Sequence, residues 1–159
     1  MAESGSAPHR DDRVLRLVTF QLEDRSYAVP LDKVESVQRM VAVSPVPSAP
    51  HWMPGVIDLR GTVVPVVDLR QRLGHSQRPP RLDDRLLIVD LAGRVMALVV
   101  DEVREVLEIT RRELEDSTDL LPSAVSAVVR RDAGDLLLVV DLDQVVPNDF
   151  PRTSQSSES

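Results

Sequence analysis

From residue 13 to residue 150 the apolar positions come in short runs rich in Val and Leu, each bounded by Pro, Gly or Asp: VLRLVTFQL, SYAVPL, MPGVIDL, TVVPVVDL, RLLIVDL, VMALVV, AVSAVV and DLLLVVDL. Runs of this length, rich in β-branched residues, predict many short strands. Helical spacing is sustained nowhere beyond about two turns. Thr110 and Glu113 have the spacing of a capping box and predict one short helix. Both ends differ in kind from this body. MAESGSAPHRDD and PRTSQSSES hold little that can be buried, and they predict disordered tails over 1–12 and 151–159.

The stretch GVIDLRGTVVPVVDLRQRLG, residues 55–74, reads as a hairpin. GVIDL is one strand, Arg60-Gly61-Thr62 the turn, and TVVPVVDL the return, with Gly61 free to take positive φ. Pro65 cannot donate to a ladder, so the second strand has an open edge or a bulge there. Asp68 is placed to cap a single turn over LRQRL, and Gly74 to stop it. This explains each residue structurally except Arg60, which is either a solvated turn charge or an anchor for a partner or a neighbouring carboxylate.

A repeat organises the rest. Residues 16–37 align on 85–106 without a gap at an offset of 69, and eight of the 22 positions are identical, among them Asp32/Asp101, Val34/Val103 and Val37/Val106. VVPVVDLRQRL, 63–73, resembles LLLVVDLDQVV, 136–146, and sets Asp68 over Asp141. Self-similarity at nearly constant spacing implies one supersecondary unit used twice. The expectation is a single domain over 13–150 with pseudo-repeat halves at roughly 13–78 and 81–147, joined by GHSQRPPRLDD, whose Pro79-Pro80 forbids regular pairing. Sheets this short are weak alone, so the halves bury apolar faces against each other.

Composition narrows the function. A formal charge of −7 and aromatics at 3% disfavour a nucleic-acid partner. There is no cysteine, which removes thiolate metal sites and thiol nucleophiles and fits a reducing, cytoplasmic compartment. No apolar run approaches the length that spans a bilayer, and the N-terminus lacks a signal core, so no membrane insertion is expected. His9, His51 and His75 are scattered without metal-ligand spacing, and no phosphate loop or nucleophile elbow occurs. Asp58, Asp68, Asp90, Asp101 and Asp141 each stand at a strand end, where Asp commonly caps a turn through its own backbone. A hydrolase built from these carboxylates and Arg60 would lack its His, Ser or metal cluster. No catalytic residue, cofactor or metal is expected.

MPGVIDLRGTVVPVVDLRQRLG resembles the hallmark hairpin of the CheW family of chemotaxis coupling proteins, whose members read close to GVxNLRGxVxPVxDLRxxLG. YAVPLDKVESV and LLIVDLAGRVMALVVDEVREVLEI resemble two further family segments, so the likeness covers nearly all of 15–147. It implies a mainly β fold of two packed SH3-like five-stranded β-barrels with one or two short helices. It also implies a non-catalytic adaptor that couples chemoreceptors to the regulatory domain of the histidine kinase CheA, cytoplasmic and recruited to membrane-associated arrays. The alternative is a regulator of another chemosensory pathway, for surface motility or pilus control, that binds only one partner. In the family the receptor's helical tip lies in a groove whose residues match Val34, Gly55, Arg60, Val103 and Val106, beside the structural turn residues Gly61, Asp68 and Gly74 read above from turn chemistry. This chain departs from the pattern at Ser36, where relatives often carry Glu, at Ser126, where Gly is usual, and at Asp58, where Asn is usual.

Overall fold

The computed structural model describes residues 12–146 and the backbone of 154–155. Apart from Asp12 and that pair, the tails expected at the two ends lie outside the described residues. Twelve strands follow in chain order: β1 Val14–Leu22, β2 Arg25–Pro30, β3 Val34–Arg39, β4 Gly55–Leu59, β5 Thr62–Asp68, β6 Arg85–Leu91, β7 Arg94–Val100, β8 Glu102–Thr110, β9 Leu114–Asp116, β10 Val125–Arg130, β11 Leu136–Val140 and β12 Ser154–Gln155. The helix α1 spans only Leu142–Val145, and four 3-10 turns lie wholly within the described residues. One of these, Arg111–Glu113, carries the capping box formed by Thr110 and Glu113.

The strands form two sheets. One runs β8-β1-β2-β11-β10-β9; the other runs β12-β5-β7-β6-β3, with β4 added on β5. Each closes into a small barrel by a bend in the chain. In the first, β8 turns through Arg111–Glu113 into β9, which pairs with β10. In the second, the chain leaving β3 returns to β4 through a bridge between Ser44 and Val56. The repeat unit and the barrel do not coincide. Each half gives its first hairpin to the barrel that holds the rest of the other half: β1-β2 joins β8, β10 and β11, and β6-β7 joins β3, β4 and β5.

The exchange obeys the sequence repeat residue by residue. Phe20 lies opposite Val103 and Val34 opposite Val89, which are equivalent pairs at the offset of 69. Both ladders then carry a bulge, one beside Thr19 and the other at Glu35. The parallel pairs Val139/Ala28 and Val66/Ala97 correspond in the same way, as do the backbone bonds Asp68 N–H to Trp52 O and Asp141 N–H to Ala124 O, each 2.8 Å.

This arrangement explains why the apolar runs are nearly continuous. Leu86, Ile88, Ala97 and Val99 point into one barrel; Leu17, Ala28, Leu137 and Val139 point into the other. Their sequence neighbours Leu87, Val89, Met96, Leu98, Val18, Tyr27 and Leu138 point the opposite way, into a larger core shared by the two sheets. Strands buried on both faces need apolar residues at successive positions. Pro65 fits the expected open edge: β4 pairs along one side of β5, and on the other side β7 begins pairing only at Val66.

Candidate functional site

The β4-β5 hairpin turns through Arg60 and Gly61, both at positive φ, 55° and 84°. That is the primed turn favoured by twisted two-residue hairpins, and the glycine removes the strain at one of its two positions. Asp58 steadies it, Oδ1 accepting the Gly61 N–H at 2.8 Å. A carboxylate oxygen does here what an Asn carbonyl would do. At the far end of β5, Asp68 accepts the Arg70 N–H at 3.0 Å, and Gly74 ends the following turn at φ 87°. Asp90 and Asp141 make the same kind of local bond, to Gly93 N–H and Asp143 N–H.

The turn delivers Arg60 to the rim of a concavity of about 520 Å³, lined also by Glu35, Ser36 and Gln38 of β3 and by Thr62 and Val95. Glu35 is the extra residue of the β3 bulge, opposite no residue of β6. Glu35 and Ser36 therefore border the same concavity, so an acidic side chain flanks it. A second concavity of about 400 Å³ is lined by Val37 of β3 and Val103 of β8, together with Asp83, Arg85, Asp101 and Glu102. It lies where the two barrels meet, because β3 and β8 belong to different sheets.

The residues expected to line one receptor groove are distributed over these features. Val34 and Val103 occupy equivalent places and pack against the shared core. Val106 and its equivalent Val37 are 54% and 46% exposed, unusual for valines in strands. Arg60 and Val103 border different concavities, with β3 contributing to both. Gly55 is buried, and a Cβ there would strike the Ser44 carbonyl, its carbon only 2.8 Å away. The Ser44–Val56 bridge that closes the barrel thus accounts for this glycine.

A buried ionic cluster was not singled out by the sequence reading. Arg70 is fully buried and bonds the Asp101 carboxylate through Nη2. Asp101 also accepts from Arg78 at 2.8 Å and from the Glu23 N–H at 2.6 Å. Arg78 grips Asp84 through two bonds of 2.9 and 2.7 Å. Burial pushes the Asp101 and Asp84 carboxyls up, but the arginines and backbone donors outweigh it and hold both below the usual carboxylate range. Asp68, farther from Arg70 Nε at 3.7 Å, is pushed up by burial. The cluster fastens the segment between the halves to both barrels. His75 adds a tie, its Nε2 2.7 Å from the Tyr27 hydroxyl and its Nδ1 3.2 Å from Glu23. The only sequence signal for it was the tripeptide Asp-Leu-Arg occurring twice, at 58–60 and 68–70. Among the described residues no His, Asp and Glu side chains converge as a metal site requires, and no helix is long and apolar enough to cross a membrane.

The family model for the CheW-like domain matches residues 16–150. The chain belongs to the CheW-like domain family. It is 28% identical over 149 residues to the chemotaxis protein CheW of Rhizobium meliloti, covering 92% of this chain and 96% of that one. The crystal structure of the scaffolding protein TtCheW from Thermoanaerobacter tengcongensis superposes with a TM-score of 0.77 at 26% identity, covering 88% of this chain and 97% of that one. Protein PilI of Pseudomonas aeruginosa is 30% identical over 86 residues, 54% of this chain and 48% of that one. The paired barrels implied by the CheW resemblance are thus the fold of this chain.

Proposed function

We propose that the protein is a non-catalytic adaptor of a bacterial chemosensory array, joining the helical tip of a chemoreceptor to the regulatory domain of the kinase CheA at the cytoplasmic side of the membrane. The observation that carries this reading is the CheW-like match across 16–150 on a molecule whose strand-end carboxylates are taken up by turns and by the ionic cluster. The receptor docks along the seam where β3 of one barrel meets β8 of the other. Val37 and Val106 offer exposed apolar side chains suited to an amphipathic helix. Arg60, on the neighbouring hairpin turn, supplies a charged anchor. The kinase uses another surface.

The test separates the two partners. A single anchor contributes about 2 kcal/mol or more, so Arg60→Ala should weaken binding of a soluble receptor fragment at least about tenfold. Kinase-domain binding should stay unchanged. Val34→Glu should act likewise, but Val34 packs on the core, so Val106→Glu is the cleaner partner variant and each must first show an unchanged melting temperature. A well-folded Arg60→Ala that binds both partners as the parent does would make Arg60 a solvated turn residue. Loss of both partners would make the hairpin an organiser of the whole domain. Binding of only one partner by the parent would identify a single-partner regulator.

A further inference from the structure

The two-fold relation between the halves extends to the seam between β3 and β8. Val18 lies opposite Val106 as Leu87 lies opposite Val37, and Leu17 opposite Leu107 as Leu86 lies opposite Gln38. A rotation that exchanges the halves therefore carries β3 onto β8, and these are the end strands of their sheets. Val37 and Val103 border one concavity. The rotation sets Val106 beside Val34 at the other end of the seam, so the two strands run in opposite directions along it. That second end is a concavity of about 480 Å³ whose lining includes Val14, Arg16 and Asp32, the equivalents of Asp83, Arg85 and Asp101.

Such a seam offers the same apolar contacts to a helix laid in either direction. Its charges do not obey the rotation. At the offset of 69, Glu102 stands in place of Lys33 and Asp83 in place of Val14. One end is thus the more acidic and the other the more basic. Asp101 is already taken by Arg70 and Arg78, and Arg16 by Glu108. Lys33 and Glu102 are exposed. Glu102 lies 3.6 Å from Arg104 Nη2, a loose surface pair that can be exchanged for another.

We propose that the seam discriminates the direction of the receptor helix, Lys33 meeting an acidic residue at one end and Glu102 a basic residue at the other. The inference rests on the docking role assigned to the seam. Lys33 and Val37 are four residues apart, about 13 Å of strand, which matches about nine residues of helix. The partner is an amphipathic helix whose apolar stripe is flanked by opposite charges about two to three turns apart. A helix laid the other way brings like charges together at both ends, and a nearly symmetric groove rejects it for that reason.

The test is the double variant Lys33→Glu/Glu102→Lys in the full chain, which keeps the net charge and the apolar contacts. Affinity for a soluble cytoplasmic fragment of a chemoreceptor should fall about five- to thirtyfold at low salt. The loss should shrink strongly in about 1 M salt, where the screening length is about 3 Å. Binding of the CheA regulatory domain and the melting temperature should stay at the parent values. The neutral pair Lys33→Gln/Glu102→Gln should fall between parent and swap, and it carries the test should the swap lower the melting temperature. Val106→Glu is measured alongside to separate the two claims. If Val106→Glu weakens receptor binding and the swap does not, the docking seam stands and its discrimination of direction is overturned. A loss that persists in high salt, or extends equally to the kinase domain, overturns it as well. If Val106→Glu leaves receptor binding unchanged, docking at the seam fails and the discrimination fails with it.

Discussion

Replacing Asp101 by Ala should destabilise the protein more than any other single surface-accessible change. The variant strips Arg70, which has no exposure, of its carboxylate, leaving Asp68 at 3.7 Å as the nearest counter-charge. It also takes an acceptor from Arg78 and from the Glu23 N–H. Removing one partner of a buried pair costs about 3–5 kcal/mol, because the remaining charge is left desolvated. Asp101 itself is 27% exposed, which lets water reach the gap and places the value near the lower end. A loss of about 3 kcal/mol lowers the melting temperature of a domain this size by about 10 °C. Asp101→Asn keeps an acceptor for Glu23 N–H but not the charge, and should fall between parent and Asp101→Ala. Thermal melts followed by circular dichroism at neutral pH decide the matter. A shift below about 2 °C for Asp101→Ala would refute the reasoning and mean that Arg70 is solvated in a way its burial does not suggest.

Acid should act on the same cluster. The carboxyls of Asp101 and Asp84 are held below their unfolded values, so their contribution is complete above about pH 4 and is lost as pH falls through the folded values. Asp68 is raised, so its ionised form costs stability at neutral pH and protonation relieves that cost, opposing the trend. Parent and Asp101→Ala melting temperatures should accordingly converge in acid, and a constant gap down to pH 2 would contradict this. Gly61→Val places a β-branched residue at φ 84° and should cost about 1–3 kcal/mol in a denaturant titration. Gly55→Ala drives a methyl into the Ser44 backbone and should cost at least about 2 kcal/mol, whereas an unchanged midpoint would show that the Ser44–Val56 bridge can yield.

What the sequence revealed was mostly local. Turn chemistry placed Gly61 at positive φ, Asp68 at the turn after β5 with Gly74 ending it, and Thr110-Glu113 as a capping box, because each depends on residues close in sequence. The duplication was legible through identical residues at a fixed offset. The exchange of hairpins was not, since both β3 with β6 and β3 with β1 satisfy the same alternation of apolar residues, and only the closing of the barrels selects between them. Arg60 and Arg70 show the same limit. Each ends an Asp-Leu-Arg triplet, yet one stands on an exposed turn and the other lies buried against Asp101, 31 residues away. A partner that distant is found by folding. At Gly55, likewise, the sequence does not show that a Cβ would strike the carbonyl of Ser44, a residue eleven positions earlier.

In the proposed function one molecule holds receptor and kinase at the same time through separate surfaces. The direct measurement is sedimentation of a receptor cytoplasmic fragment and the CheA regulatory domain, with and without this protein. The two partners should co-sediment only when the protein is present, and Arg60→Ala should release the receptor while the kinase domain stays bound. Competition, in which adding receptor displaces the kinase domain from the protein, would contradict it.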